Sequence, residues 1–172
     1  MNPALQALFA RRSVRQYTDR AVSDAAIRDL LEAAMAAPSA VGKDPWHFIA
    51  VRNKDTLGKM ADGLPKGQML RHAAAGLLVC GDLDRAHDGQ ESYLLQDCSA
   101  ATENILLAAS LLGLGACWLG VHPRGERIGW MRELFGLPAR IIPVSAIALG
   151  WPARQPEPRT RFRQEAVHAE TW

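Results

Sequence analysis

The sequence predicts an α+β fold in which helices sandwich a single sheet. Three observations carry this expectation. Amphipathic helical segments and apolar strand segments follow one another without the regular βαβ alternation of a doubly wound fold. At 172 residues the chain is long enough for one sizeable core and short for two. Hydrophobic residues make up 48% of it and charged residues 22%, an ordinary globular balance. Residues 1–172 therefore read as one domain, with about 153–172 as an extended arm.

The elements follow in order. Pro3–Ala10 reads as a short helix, with Pro3 suited to its first turn. After an arginine-rich turn, "VSDAAIRDLLEAAMAAP" is a helix capped by Ser23, with Ile27, Leu30, Leu31, Ala34 and Met35 on its apolar face and Pro38 beyond its end. His47–Arg52 is a short strand and "KDTLGKMADGL" a helix. Gly76–Asp82 is an apolar run between turn signals, the pattern of a buried strand. Tyr93–Leu112 predicts a helix of about 30 Å, apolar around most of its circumference and studded with small residues from Ser99 to Ser110. Such a helix belongs at the centre of the domain or at a subunit interface. Ala116–Val121 is a strand, "RIGWMRELF" a helix and Val144–Gly150 the last strand. From Trp151 onward "WPARQPEP" is broken by proline and extended.

Composition excludes several classes. A net charge of +2 argues against a dedicated nucleic-acid binder, whose affinity rests on many phosphate contacts. Cys80, Cys98 and Cys117 lie in apolar stretches without CxxC spacing and read as reduced thiols of a cytoplasmic protein. The opening "MNPALQALFARRS" is too short and too weakly apolar for a signal peptide. Asp97, Glu103 and Asn104 interrupt the longest apolar run, which argues against a membrane span.

Familiar catalytic patterns fail on spacing. Gly113, Gly115 and Gly120 miss GxGxxG and link a helix to a strand, the reverse of the dinucleotide fingerprint. No Walker lysine or GxSxG occurs, and the five histidines show no metal-ligand spacing. No acid–base or nucleophilic group stands out, so an enzyme of this sequence would rely on a cofactor.

Four segments read together. "RRSVRQY" concentrates Arg11, Arg12 and Arg15 around Ser13, a set able to fork onto a phosphate. "APSAVGKDPW" (37–46) is a helix stop and small-residue loop; taken alone it is an ordinary connection. "CWLGVHP" (117–123) is a strand end whose amides could face a flat ring; alone it is a buried strand. "RTRF" (159–162) would by itself be a solvated charge run.

In this order and spacing the sequence resembles the nitroreductase family of FMN-dependent flavoproteins, in its short form. The resemblance runs through "RRSVRQY", "LLEAAMAAPSAVGKDPWHF", "DCSAATENILLAASLLGLGACWLGVHP", "LGLPARIIPVSAIALGWP" and "VHAETW". It implies an α+β sandwich around one central mixed sheet, assembled as a homodimer with two shared active sites. It implies that Arg11, Arg12, Ser13 and Arg15 hold the phosphate and ribityl chain of FMN, and that Arg159 and Arg161 close on the same phosphate. Pro38, Ser39, Ala40 and Asp44 would reach the flavin of the partner subunit. Trp118, Leu119 and Gly120 would lie beside the isoalloxazine, a backbone amide facing N5.

Two departures stand out: Gly42 and Asp44 occupy places where the family usually carries asparagine and glutamine, and "DGLPKGQML" lacks an asparagine that larger members present to the flavin. Either Asp44 alters the electrostatics beside the flavin or its carboxylate points away. The implied activity is NADH- or NADPH-dependent reduction of a nitroaromatic, quinone or similar acceptor by ping-pong transfer, without a catalytic side chain or metal. A non-redox or flavin-degrading FMN-binding protein is the alternative, and a nucleic-acid or phosphoprotein module the more distant one.

Overall fold

A computed structural model describes residues 2–172. Four strands form one sheet: β1 (Trp46–Val51), β2 (Ala75–Asp82), β3 (Gly115–Gly120) and β4 (Ile141–Gly150), in the order β1-β2-β4-β3. Every residue of β2 and β4 is buried, as expected of central strands covered on both faces. The helices are α1 (Gln6–Ala10), α2 (Asp24–Met35), α3 (Lys54–Asp62), α4 (Glu91–Leu111) and α5 (Gly125–Phe135). Alternate side chains of the sheet feed two cores. Leu77, Val79 and Leu149 pack with Leu30 of α2 and Ile105 of α4 on one face. Leu78, Ala146 and Ala148 pack with Leu57 of α3 and Met131 of α5 on the other. The sandwich around one sheet is thus the observed architecture.

The sheet itself is not mixed. All three strand pairings, β1 with β2, β2 with β4 and β3 with β4, are antiparallel. The reason lies in the crossover. The β2–α4–β3 connection leaves β2 and β3 running the same way, but β4 inserts between them and pairs antiparallel with both. Among the described residues, parallel pairing survives only as an isolated bridge between Ser13 and Ala116. Pro143 is accommodated in central strand β4 beside a register shift, where Cys80 opposes Pro143 and Val79 opposes Ser145.

Local signals account for the helix ends. The Ser23 hydroxyl accepts from the amide of Ala26 at 3.1 Å and starts α2. Asn53 caps α3 through the amide of Thr56 at 2.9 Å. Met35, expected on the apolar face of α2, is 56% exposed, because the helix ends there and its last turn leaves the core. α4 is central: every residue from Asp97 to Ser110 is at least half-buried. It is tied to α2 by Asn104, whose amide donates to the Ala33 carbonyl at 2.9 Å. Among the described residues no helix is long and apolar enough to cross a membrane.

Candidate cofactor site

The arginine turn is seated on the sheet by two glycines. A Cβ at Gly115 would lie 2.7 Å from Val14 Cγ1 and 2.8 Å from Val14 Cβ; one at Gly150 would lie 2.8 Å from the Tyr17 ring. Only glycine lets the segment come this close. Val14 then donates its amide to the Ala116 carbonyl at 2.9 Å, extending the sheet beyond β3. The Tyr17 hydroxyl is shared between the carbonyls of Val14 at 2.7 Å and Ala148 at 3.2 Å, and burial pushes its pKa up.

The C-terminal arm is laid against the same segment. Tyr17 bridges Pro152, the Ala153 amide donates to Gln16 O at 3.0 Å, and the Arg159 amide donates to Phe9 O at 3.1 Å. The two arginine clusters, from opposite ends of the chain, therefore meet. The pKa of the Arg12 guanidinium is lowered first by lost hydration and then by repulsion from Arg159, Arg161 and Arg11. Arg11 is diverted: its Nε lies 3.1 Å from a carboxylate oxygen of Glu103 on α4. None of the ion pairs among the described residues engages Arg12, Arg159 or Arg161. With no carboxylate paired to Arg12, Arg159 or Arg161, these three are available to an anion, and a phosphate dianion suits them. Ser13 stands exposed between Arg12 and Arg15.

Arg15, three residues beyond Arg12, lines a cleft of about 240 Å³ along the end of β3, where Trp118, Leu119 and Gly120 are brought together. Trp118 is 37% exposed. A Cβ at Gly120 would meet only the His122 carbonyl, at 3.8 Å, so the backbone there is open to a flat ligand. Burial raises the pKa of Cys117 in the cleft wall, and the nearby Arg15 opposes that shift. The residues fit a flavin mononucleotide: cations and a hydroxyl for the phosphate, and an open strand end for the ring.

Pro38, Ser39, Ala40 and Asp44 lie elsewhere. Their loop leads into β1, at the opposite edge of the sheet and about 14 Å from β3 at the usual strand spacing. Asp44 is turned onto its own loop. Its carboxylate accepts from the Ser39 hydroxyl at 2.5 Å, and that hydroxyl accepts from the Asp44 amide at 3.0 Å. The Ala40 amide is held at 2.8 Å by Asp97 of α4, a carboxylate that is only 4% exposed. Sequence reasoning missed Asp97, the seating glycines, and Lys66 and Arg127 in the cleft wall. Gly115 was visible only as part of a failed fingerprint and Asp97 only as a charge interrupting an apolar run; nothing in the sequence singled out the others.

Comparison with known proteins shows the family of the chain. The family model described as the nitroreductase family matches residues 8–64 and 59–151. A protein of Archaeoglobus fulgidus, named as a candidate NADH dehydrogenase/NAD(P)H nitroreductase, is 46% identical over 175 residues, covering 100% of both chains. A crystal structure of a similarly named Parabacteroides distasonis protein superposes with a TM-score of 0.93 at 38% identity, with 100% of each chain covered. A Desulfovibrio desulfuricans protein, described as a candidate nitroreductase in complex with FMN, superposes with a TM-score of 0.84 at 37% identity. That match covers 100% of this chain and 99% of the other.

Proposed function

The chain belongs to the nitroreductase family, and from that premise we propose that it is an FMN-dependent oxidoreductase. It takes reducing equivalents from NADH or NADPH and delivers them to a nitroaromatic, a quinone or a similar small acceptor. The observation that carries this reading is the meeting of Arg12 with Arg159 and Arg161, without a carboxylate to neutralise them. FMN, bound there, would supply the redox chemistry, hydride acceptance from the nicotinamide and two-electron delivery to the acceptor in ping-pong order.

The chain's own residues bind and orient. Arg12, Arg159, Arg161 and Ser13 hold the phosphate, and Arg15 lines the cleft. Trp118, Leu119 and Gly120 flank the ring, the last leaving backbone free to donate to it. No side chain need move a proton. Asp44, where the family usually has glutamine, keeps its carboxylate turned onto Ser39 of its own loop.

The active unit in this reading is a homodimer, in which Pro38–Asp44 of one protomer serve the flavin held by Arg12–Arg15 of the other. The distance of that loop from β3 within one chain supports the sharing. Three free cysteines suit a reducing, cytoplasmic compartment.

The visible spectrum of the purified protein, before and after anaerobic NADPH, tests the proposal. It is expected to show a flavin band that NADPH bleaches, with FMN as the pigment released on denaturation. A colourless protein, or FAD as the main pigment, would refute FMN binding. A yellow protein that neither nicotinamide bleaches would refute the redox role.

A further inference from the structure

Loop 38–44 is held in a shape that its own residues resist. Val41, Gly42 and Asp44 all have left-handed backbones, with φ of 53°, 64° and 48°. Glycine enters that region freely, but a β-branched residue such as Val41 rarely does. Val41 is 75% exposed, so burial of its side chain does not offset the strain. Inside the loop, Ser39 and Asp44 hold each other. From outside it, the one hydrogen bond among the described residues joins the Ala40 amide to Asp97 Oδ1 at 2.8 Å. Asp97 is an expensive anchor. It is buried on α4, and its Oδ2 is also buried and, among the described residues, without a hydrogen-bond partner. None of the ion pairs among the described residues engages it. A neutral acceptor would avoid that desolvation. What a carboxylate adds is a stronger hold on an N–H donor.

We propose that Asp97 is the positioning residue of loop 38–44. By gripping the Ala40 amide it keeps Ser39 and Ala40 in the form they present to the flavin of the other protomer. The inference rests on the proposed function, in which that loop serves the partner's cofactor. Asp97 acts only through Ala40. Its place on the central helix α4 gives the loop a rigid reference, whereas Asp44 can only close the loop on itself.

The test compares wild type with Asp97→Ala, Asp97→Asn and Thr102→Val, all as flavin-loaded protein. Hydrogen exchange of the Ala40 amide, followed by NMR, reads the bond. Release of FMN on dilution and the visible circular dichroism of the bound flavin read the site. Asp97→Ala is expected to speed Ala40 exchange about tenfold or more, the worth of one charge-assisted bond. It should also speed FMN release and change the flavin dichroism. Asp97→Asn keeps an oxygen for Ala40 and should restore part of each. Thr102 lies on the same helix and bonds Cys98 and Ser145 rather than the loop. Thr102→Val should therefore lower stability while leaving flavin release and dichroism unchanged. The positioning role is overturned, with the proposed function intact, by either of two results: Asp97→Ala frees Ala40 yet keeps the wild-type flavin signals, or Thr102→Val reproduces its effects. Where Asp97→Ala does not fold, a smaller shift of Asp97→Asn in the same readouts supports the role, and its absence overturns it. A wild type that binds no flavin removes the proposed function first, and this role with it.

Discussion

Gly115→Ala tests whether the arginine turn owes its place to a missing side chain. The added methyl would lie 2.8 Å from Val14 Cβ, whereas ordinary contact begins near 3.4 Å. Because Val14 Cβ is attached directly to the backbone, no rotamer change relieves the contact, and the segment itself must retreat by about 0.6 Å. Falling on the Val14–Ala116 hydrogen bond, that shift lengthens 2.9 Å to about 3.5 Å, the edge of bonding. Overpacking of this kind costs about 1–3 kcal/mol, which for a chain of this size lowers Tm by roughly 3–10 °C. The same retreat carries Arg12 and Arg15 away from the arm, so affinity for FMN should fall in step. Thermal unfolding followed by circular dichroism, with FMN titration of the apoprotein, measures both. Gly129→Ala is the control: its Cβ meets nothing within 4 Å in α5, and alanine there should raise stability slightly. A Gly115→Ala protein that melts with wild type and binds FMN equally well would refute the seating argument.

Arg161→Ala should weaken FMN binding by about 1.5–3 kcal/mol, with Arg161→Lys restoring only part, as fluorescence titration would read. Thr102 and Ser145 share a buried hydroxyl pair at 3.1 Å between α4 and β4. Thr102→Val, which leaves Ser145 without that partner, should cost about 1–3 kcal/mol in denaturant unfolding, and adding Ser145→Ala should recover much of the loss. Burial pushes the Cys80 and Cys98 thiols up to about 12, against about 8.5 in an unfolded chain. Their contribution to stability is therefore complete below about pH 8.5 and declines as pH rises toward 12. Both should resist thiol reagents at pH 8 until denaturant is added, a result read by mass spectrometry. Sedimentation of the holoprotein at micromolar concentration should give a dimer, and a monomer that keeps FMN and NAD(P)H oxidation would remove the shared site.

Local chemistry made much of the fold legible. Ser23 as a cap, Pro38 beyond the end of α2 and the unbroken apolar run of β2 each act within a few residues, and each lies within a residue or two of its expected place. What escaped was long-range. The chain places β4 between β2 and β3, and no pattern inside "IIPVSAIALG" announces which strands it will separate; that is why a mixed sheet was expected and an antiparallel one formed. The arginine turn was conspicuous by density alone, and its meeting with Arg159 needed the arm to fold back. Lys66 and Arg127 carry ordinary surface residue types, and only the cleft between them gives them a shared address. Asp44 shows the same limit from the other side: its sequence position left two electrostatic readings open, and the bond to Ser39 is a property of the folded loop.

Because the arm closes over the first turn, the guanidinium cluster exists only after both chain ends have been made. A nascent chain emerges N-terminus first, so Arg12 is made well before Arg159 and Arg161. The strands and the residues of both cores all precede the arm, yet without the arm only half of the cluster is present. Cleavage between Pro152 and Arg159 should therefore separate anion affinity from folding, removing the first and sparing the second.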